Sequence, residues 1–543
     1  MHFLGSVTVL LTISQLLLSA SVLAAPTSGN GTSIPSLSLA PRSASMAGAT
    51  PSQQLLSCLS SLASSKVLTS SNKATAASFQ QNRYGFDLRY DYVPQVIVMA
   101  ANVQDVQTAV KCAAAAKIPI APRSGGHSFE GYSIGGQDGS MVLDLTAMST
   151  VQVVKGTGSN PTVAKVGAGI RLGQLYLDLF NQGGWTLNGG TCPSVGIGGH
   201  TLGGGFGLLA RKYGVLADRI VEMQAVNAQG QILTVSATQN KDLFYALRGA
   251  GGGSFAVVTQ FTFLPIKPAS KVTSFSYNWK ASDGAKVFKA YTSQLYKASR
   301  DLGVEMNWGP SGPELMGIFQ GTEAKQASAL AAFFKAAPKP KSSDVRESRY
   351  IDAQLRFAWV EGGSDSAKNI NALGLKGKYH TGDSRYTKGK SIVYSSAMKA
   401  STISIVQQFT SQKPKGATAN YVIADVWGGA VQDTAVAATS FVHRQAQTVF
   451  ELVVEWDQSA SPKPGKPDCQ PCLQWINDFH AALVKDYNAN YSAPLSGYQN
   501  YIDIDMPNWL NAYYGPATPR LKQIKSSVDP QNVFRFPQSI PLQ

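Results

Sequence analysis

From Val93 onward, short apolar runs alternate with stretches that carry one apolar face. Gln95-Val-Ile-Val-Met-Ala predicts a strand, Val103 to Lys117 an amphipathic helix, Ile118-Pro-Ile-Ala-Pro a second strand and Met141-Val-Leu-Asp-Leu a third. Thr162 to Val166 and Ile220 to Val226 add strands, and Phe255 to Phe263 reads as a buried one. The pattern is that of an α+β domain. Past Pro265 the glycines thin out and strands alternate with long helical stretches, such as Ala324 to Phe334, so a second domain is expected over 266–490 after a first over 54–265. Near residue 490 Tyr, Asn and Pro return. Leu521 to Lys525 then predicts helix ahead of the terminal Val533-Phe-Arg-Phe-Pro-Gln, leaving 491–543 as a separate C-terminal segment. No internal repeat is present.

The N-terminus follows other rules. Val7 to Leu18 is apolar, and small residues ending Val22-Leu-Ala-Ala25 precede Pro26, which predicts a secretory signal over 1–25. The run is too short to span a membrane, and nothing later is long and apolar enough. Residues 26–53, rich in Ser, Ala, Pro, Gly and Thr without periodicity, predict a disordered lead-in. Asn30-Gly-Thr and Asn490-Tyr-Ser are acceptor sequences for glycan, consistent with export.

At 543 residues, with 44% hydrophobic and 15% charged, the chain has the composition of a folded protein of more than one core. Its 47 basic and 32 acidic side chains give a net charge of +15, but the basic residues are scattered, so a nucleic-acid partner is not expected. The densest stretch, Lys335 to Arg349, is Pro- and Ser-rich and reads as a solvated loop. Five cysteines leave one over. Cys58 and Cys112 could pair. Cys469-Gln-Pro-Cys472 could bridge itself or bind a metal, but no Cys or His cluster with zinc spacing accompanies it, so the local disulfide is favoured and no metal is expected. Cys192 remains.

Two segments carry candidate chemistry. In Pro122-Arg-Ser-Gly-Gly-His-Ser-Phe129 the paired glycines let backbone amides approach an anion such as a pyrophosphate. Residues 189–207 hold nine glycines around Cys192, Pro193, Val195, Ile197, His200 and Leu202, a backbone-lined surface. No strand, helix and acidic residue follow with Rossmann spacing, and the interleaved apolar residues suit a packed loop rather than a linker.

These motifs, with Asn500-Tyr-Ile-Asp503, Asp529-Pro-Gln-Asn-Val-Phe and Pro537-Gln-Ser-Ile, resemble the berberine bridge enzyme-like flavoproteins, and among them the fungal glucooligosaccharide and chitooligosaccharide oxidases. The resemblance covers nearly all of 54–543. It implies a fold of the vanillyl-alcohol oxidase/para-cresol methylhydroxylase type: an FAD-binding domain, an inserted α/β substrate domain and a C-terminal segment returning to the first. It implies FAD joined covalently to His127 at the 8-alpha-methyl and to Cys192 at carbon 6. The flavin contacts implied are Arg123, Ser124, Gly125, Gly126 and Ser128 in the first segment, Val195, Gly196, Gly198, Gly199, His200, Gly204 and Gly205 in the second, and Val257 on the buried strand. Val195 falls where the family controls dioxygen access, and a small residue there fits an oxidase. Tyr501 matches the base toward a substrate hydroxyl; with a phenol pKa near 10 it needs a partner, for which Asp425 is the match. Glu451 lies where relatives place Gln or Glu in the site, on one strand face with Val453. Tyr498 is a neighbour able to bond sugar, and Phe129 departs from the tyrosine some saccharide oxidases carry. Trp308, Phe319, Gln320, Arg356 and Trp359 lie in the segment expected to line the groove and match no pattern; for any one of them, core is favoured.

The implied activity is oxidation of an oligosaccharide's anomeric hydroxyl to a lactone by a secreted, monomeric oxidase that reduces dioxygen to hydrogen peroxide. The alternatives are a same-family oxidase of a phenol or alkaloid, and a secreted flavin-binding protein without turnover.

Overall fold

Ser52 opens the first helix, Gln53–Leu59, by accepting the Leu55 N–H on its hydroxyl, so it satisfies one of the donors a helix leaves free at its start. The structure, a computed structural model, describes residues 50–358, 370–374, 384–456 and 469–543. The expected signal, the lead-in before residue 50, Asn30 and Trp359 lie outside the described residues. Those described belong to one compact unit.

The strands read from the apolar runs form with their ends moved by a residue or two. β1 (Val67–Leu68), β2 (Val96–Met99), β3 (Ile120–Arg123) and β4 (Met141–Asp144) make a sheet of order β1-β2-β4-β3, parallel except at β1. The helix Val103–Ala115 makes the crossover; Asn102 caps it, and Val106, Ala109, Val110 and Ala113, spaced three and four apart, are buried. β5 (Val151–Val154), β6 (Val163–Gly167), β7 (Ile220–Val226), β8 (Ile232–Ser236) and β9 (Val257–Phe263) form an antiparallel sheet of order β5-β6-β9-β7-β8. Both sheets feed one hydrophobic core, and Tyr498, Tyr513, Leu521, Phe534 and Ile540 of the C-terminal segment join it.

A second core lies beneath a seven-stranded antiparallel sheet. Its strands are β10 (Val272–Asn278), β11 (Leu302–Gly309), β12 (Gly312–Phe319), β13 (Ser342–Ser348), β14 (Tyr386–Tyr394), β15 (Ala417–Val426) and β16 (Thr448–Trp456), in the order β13-β10-β12-β11-β15-β16-β14. Strand alternation divides the central strands between two environments. Val304, Met306 and Trp308, Val422, Ala424 and Val426, and Phe450, Leu452 and Val454 face the core that the helices Gly284–Gln294, Ala400–Thr410 and Gln470–Asn490 cover. The residues between them, Glu305 and Asn307, Tyr421, Ile423 and Asp425, and Glu451, Val453 and Glu455, face a cavity.

One expectation is corrected here. Most of Lys335 to Arg349 is not a loop: Ser342–Ser348 pairs with β10 from Val272↔Ser348 to Asn278↔Ser342. It is an edge strand with mostly solvated side chains, so its backbone pairs while its composition stays that of a surface.

Candidate active site

The cavity holds about 1130 Å³ and lies between two glycine-bearing loops and the polar face of the seven-stranded sheet. The first loop leaves β3 at Ser124; the second contains the short helix Ile197–Leu202, so the glycine-rich stretch is partly helical. They cross backbone to backbone. A Cβ on Gly196 would stand 2.0 Å from Gly125 N, and one on Gly125 would stand 2.2 Å from Gly196 N. Ser124 Oγ ties the crossing by donating to Ala168 O at 2.7 Å and accepting from Gly198 N at 3.3 Å. Gly199, in contrast, lines the cavity and would meet nothing within 4 Å on gaining a Cβ. A side chain there would fill space that now exposes helix-end backbone, the surface an anionic cofactor group needs.

His127 and Cys192 line the same cavity, one from each loop. The His127 ring stacks on Phe86 at 4.2 Å and shares a hydrogen bond between Nε2 and Ser194 Oγ at 2.9 Å, which leaves Nδ1 outside that bond. Burial, with repulsion from Arg171 and Arg385, lowers its pKa to about 3, so the ring is a neutral nucleophile. Cys192 is exposed and in no disulfide, whereas Cys58 pairs with Cys112 and Cys469 with Cys472. Gly126, Ser128, Val195 and His200 also line the cavity. His200 Nε2 accepts the Gly190 N–H at 3.1 Å, and burial lowers its pKa to about 4.

Four expected contacts stand back from the cavity wall. Arg123 is fully buried, with Nε on Asp144 Oδ2 at 2.7 Å and Nη1 on Asn82 O, so it braces the strand rather than meeting a ligand. Gly204, at φ +110°, lets the Phe441 ring approach; a Cβ would stand 2.5 Å from it. Gly205 N donates to Tyr498 Oη. Val257 points into the first core, and its neighbours Ala256 and Val258 line the cavity instead.

Opposite the loops, Tyr501 Oη donates to Asp425 Oδ2 at 3.2 Å, and Glu451 lines the same part of the cavity. Asp425 and Glu451 come from neighbouring strands, and the third carboxyl, Glu305, is the register partner of Asp425 on β11. Burial first, and then one another's charge, raises the pKa of each to about 8. Burial and the same carboxyls push the Tyr501 phenol well above 10. Tyr501 thus holds its proton until a carboxylate beside it is free to accept. The arrangement can relay a proton from a substrate hydroxyl through the phenol to Asp425.

Its neighbours in the Asn-Tyr-x-Asp sequence fix Tyr501 at both ends. Asn500 Nδ2 donates to His200 O at 3.0 Å and to Tyr498 Oη at 2.8 Å, and Asp503 receives Lys390 Nζ at 2.9 Å and Lys388 Nζ at 2.7 Å. Tyr498 Oη, accepting from both Asn500 and Gly205, anchors the loop rather than standing free for sugar. Trp308, Phe319, Gln320 and Arg356 are buried away from the cavity. Sequence reasoning missed Glu305, although Val304-Glu-Met-Asn-Trp308 alternates cleanly, and missed the Arg385–Glu455 pair at 3.0 Å with Tyr421 donating to Glu455 at 3.3 Å.

Residues 94–236 match the model of an FAD binding domain, and residues 497–541 match that described as berberine and berberine like. The chain is 31% identical over 469 residues to xylooligosaccharide oxidase of Thermothelomyces thermophilus, covering 84% of this chain and 88% of that one. It is 28% identical over 480 residues to chitooligosaccharide oxidase of Gibberella zeae, covering 85% and 90%. Among solved structures, wild-type BBE-like 1 of Physcomitrella patens superposes with a TM-score of 0.79 at 33% identity, over 90% of this chain and 99% of that one.

Proposed function

Because the chain belongs to the berberine bridge enzyme-like family of FAD-linked oxidoreductases, we propose that it oxidises the anomeric hydroxyl of an oligosaccharide to the lactone and releases hydrogen peroxide. The carrying observation is Tyr501, whose hydroxyl meets Asp425 at 3.2 Å across a cavity walled by the His127 and Cys192 loops. When bound, FAD supplies the hydride acceptor at the carbinol carbon and, once reduced, the two electrons that convert dioxygen to hydrogen peroxide. Tyr501 Oη takes the hydroxyl proton as its own passes to Asp425 Oδ2. Glu451, on the neighbouring strand beside Asp425, helps keep the phenol oxygen turned to the substrate. His127, through Nδ1, and Cys192, through Sγ, hold the flavin covalently from two loops, and the glycine backbone at Gly199 receives its anionic part. Val195, partly buried on the cavity wall, leaves dioxygen room.

The oligosaccharide is supported by the named activities of the xylooligosaccharide and chitooligosaccharide oxidases and by the cavity's far reach, where Asn278, Asn307 and Glu314 offer hydrogen-bonding groups. We read 54–265 as the flavin domain, 266–490 as the substrate domain and 491–543 as the returning segment of a secreted, monomeric enzyme. Two measurements test the proposal. Acid-precipitated protein should stay yellow, and release of all its colour into the supernatant would refute covalent attachment. On a saccharide panel, anaerobic flavin bleaching with lactone and equimolar peroxide in air is expected. Bleaching only by phenols or alkaloids would make the chain a secondary-metabolite oxidase, and no bleaching by either would make it a flavin carrier.

A further inference from the structure

The two disulfides among the described residues differ in what they can contribute. Cys58–Cys112 spans 54 residues and removes much of the unfolded chain's freedom, whereas Cys469–Cys472 spans three and removes little. Stability gives the short bridge little reason to exist. Its surroundings give another. Cys469 is the N-cap of the 21-residue helix Gln470–Asn490, and its sulfur accepts the Cys472 N–H at 3.3 Å. Cys472 sits buried in the helix's first turn behind Pro471. Cys469 is partly exposed beside the Lys415–Gly416 turn, where Gly416 has φ +89° and any Cβ would come 3.1 Å from the sulfur. One sulfur is reachable, the other sheltered, and both stand where the positive end of a long helix favours a thiolate.

We propose that Cys469–Cys472 is a thiol–disulfide exchange site that takes a low-molecular-weight thiol on Cys469. The incoming thiolate attacks Cys469 Sγ, the bridge breaks, and its electron pair leaves with Cys472 Sγ as a thiolate. The product is a mixed disulfide on Cys469. Return attack by Cys472 on Cys469 Sγ expels the small thiol and restores the bridge. Attack by a second thiolate on the small molecule's own sulfur leaves the dithiol and a symmetrical disulfide instead.

Glutathione is the probe, applied to the folded holoenzyme at neutral pH with alkylation and peptide mapping after the quench. Cys58 is itself exposed, so its bridge controls for accessibility. Cys469–Cys472 should open at least about tenfold faster than Cys58–Cys112, with circular dichroism unchanged and glutathione found on Cys469. The Cys472→Ser variant, incubated with oxidised glutathione, should retain one glutathione on Cys469. Equal opening of both bridges, opening only as the circular dichroism is lost, or glutathione residing on Cys472 would overturn the assignment.

Discussion

At the scale of single residues the site turns on where one proton is held. Tyr501, well above its ordinary pKa, cannot serve as a free phenolate at neutral pH, so its use as a base depends on Asp425. Tyr501→Phe keeps the ring and removes only the relay oxygen. Anaerobic flavin reduction should fall by roughly 10² to 10⁴, the range for losing a general base, with substrate affinity far less changed. If instead Tyr498→Phe stopped reduction and Tyr501→Phe did not, the base would be the wrong tyrosine. The pH dependence follows from burial. Asp425 and Glu451 are protonated below about 8, so reduction should climb with pH through about 8, and Asp425→Asn should lower the rate and flatten that climb. Stability runs the other way. Carboxyls whose folded pKa is raised favour the fold while protonated, a contribution complete below the unfolded value of about 4 and lost as pH rises through about 8. The thermal midpoint of the unmodified enzyme should therefore fall over the interval in which its reductive rate rises. In Asp425→Asn that fall should be smaller.

At the scale of elements, two devices place these groups. The first is strand alternation, which turns Glu305, Asp425 and Glu451 to one face while their neighbours seal the second core. The second is the glycine crossing. Gly125 and Gly196 touch through backbone atoms, and the loops that bear His127 and Cys192 stay in register only while neither carries a side chain. Gly196→Ala would bring Cβ to 2.0 Å of Gly125 N, a contact no rotamer can relieve, so the loops must part. The purified variant should show a lower ratio of flavin to protein absorbance and lose colour on acid precipitation. Full retention of attached flavin would show the crossing to be dispensable. Gly199→Ala, whose Cβ meets no protein atom within 4 Å, should leave the crossing intact and lower flavin content only by filling the cavity.

At the scale of the whole molecule, legibility divides between local and distant information. The apolar runs were readable because packing against a core sets their period, and the Gly-Gly-His and Cys192 loops because close backbone approach demands glycine. The edge strand Ser342–Ser348 was not, since only its backbone pairs. Glu305 was not, because what marks it is the strand it faces, 120 residues on at Asp425. Nor was a buried charge network that joins three distant stretches of chain. Glu130, three residues after His127, binds Lys388 at 2.6 Å; Lys388 and Lys390, from β14, bind Asp503, two residues after Tyr501. All four are buried. Burial alone would raise the Asp503 pKa, but Lys388 and Lys390 outweigh it and hold the carboxyl well below its usual range. Its contribution is thus present above the ordinary aspartate pKa of about 4 and lost as pH falls below it. Asp503→Asn leaves two buried ammonium groups short of a counter-charge, a loss of about 3–5 kcal/mol for a broken buried pair. Urea unfolding should show that loss near neutral pH and a smaller one in acid, where protonation of the carboxyl in the unfolded chain draws its contribution down. Because Asp503 also holds the turn that bears Tyr501, flavin reduction should slow in the same variant while its covalent flavin content stays unchanged. A variant equally stable at neutral pH would mean that the lysines find Glu130 and Asp505 sufficient, and that Tyr501 is held by Asn500 alone.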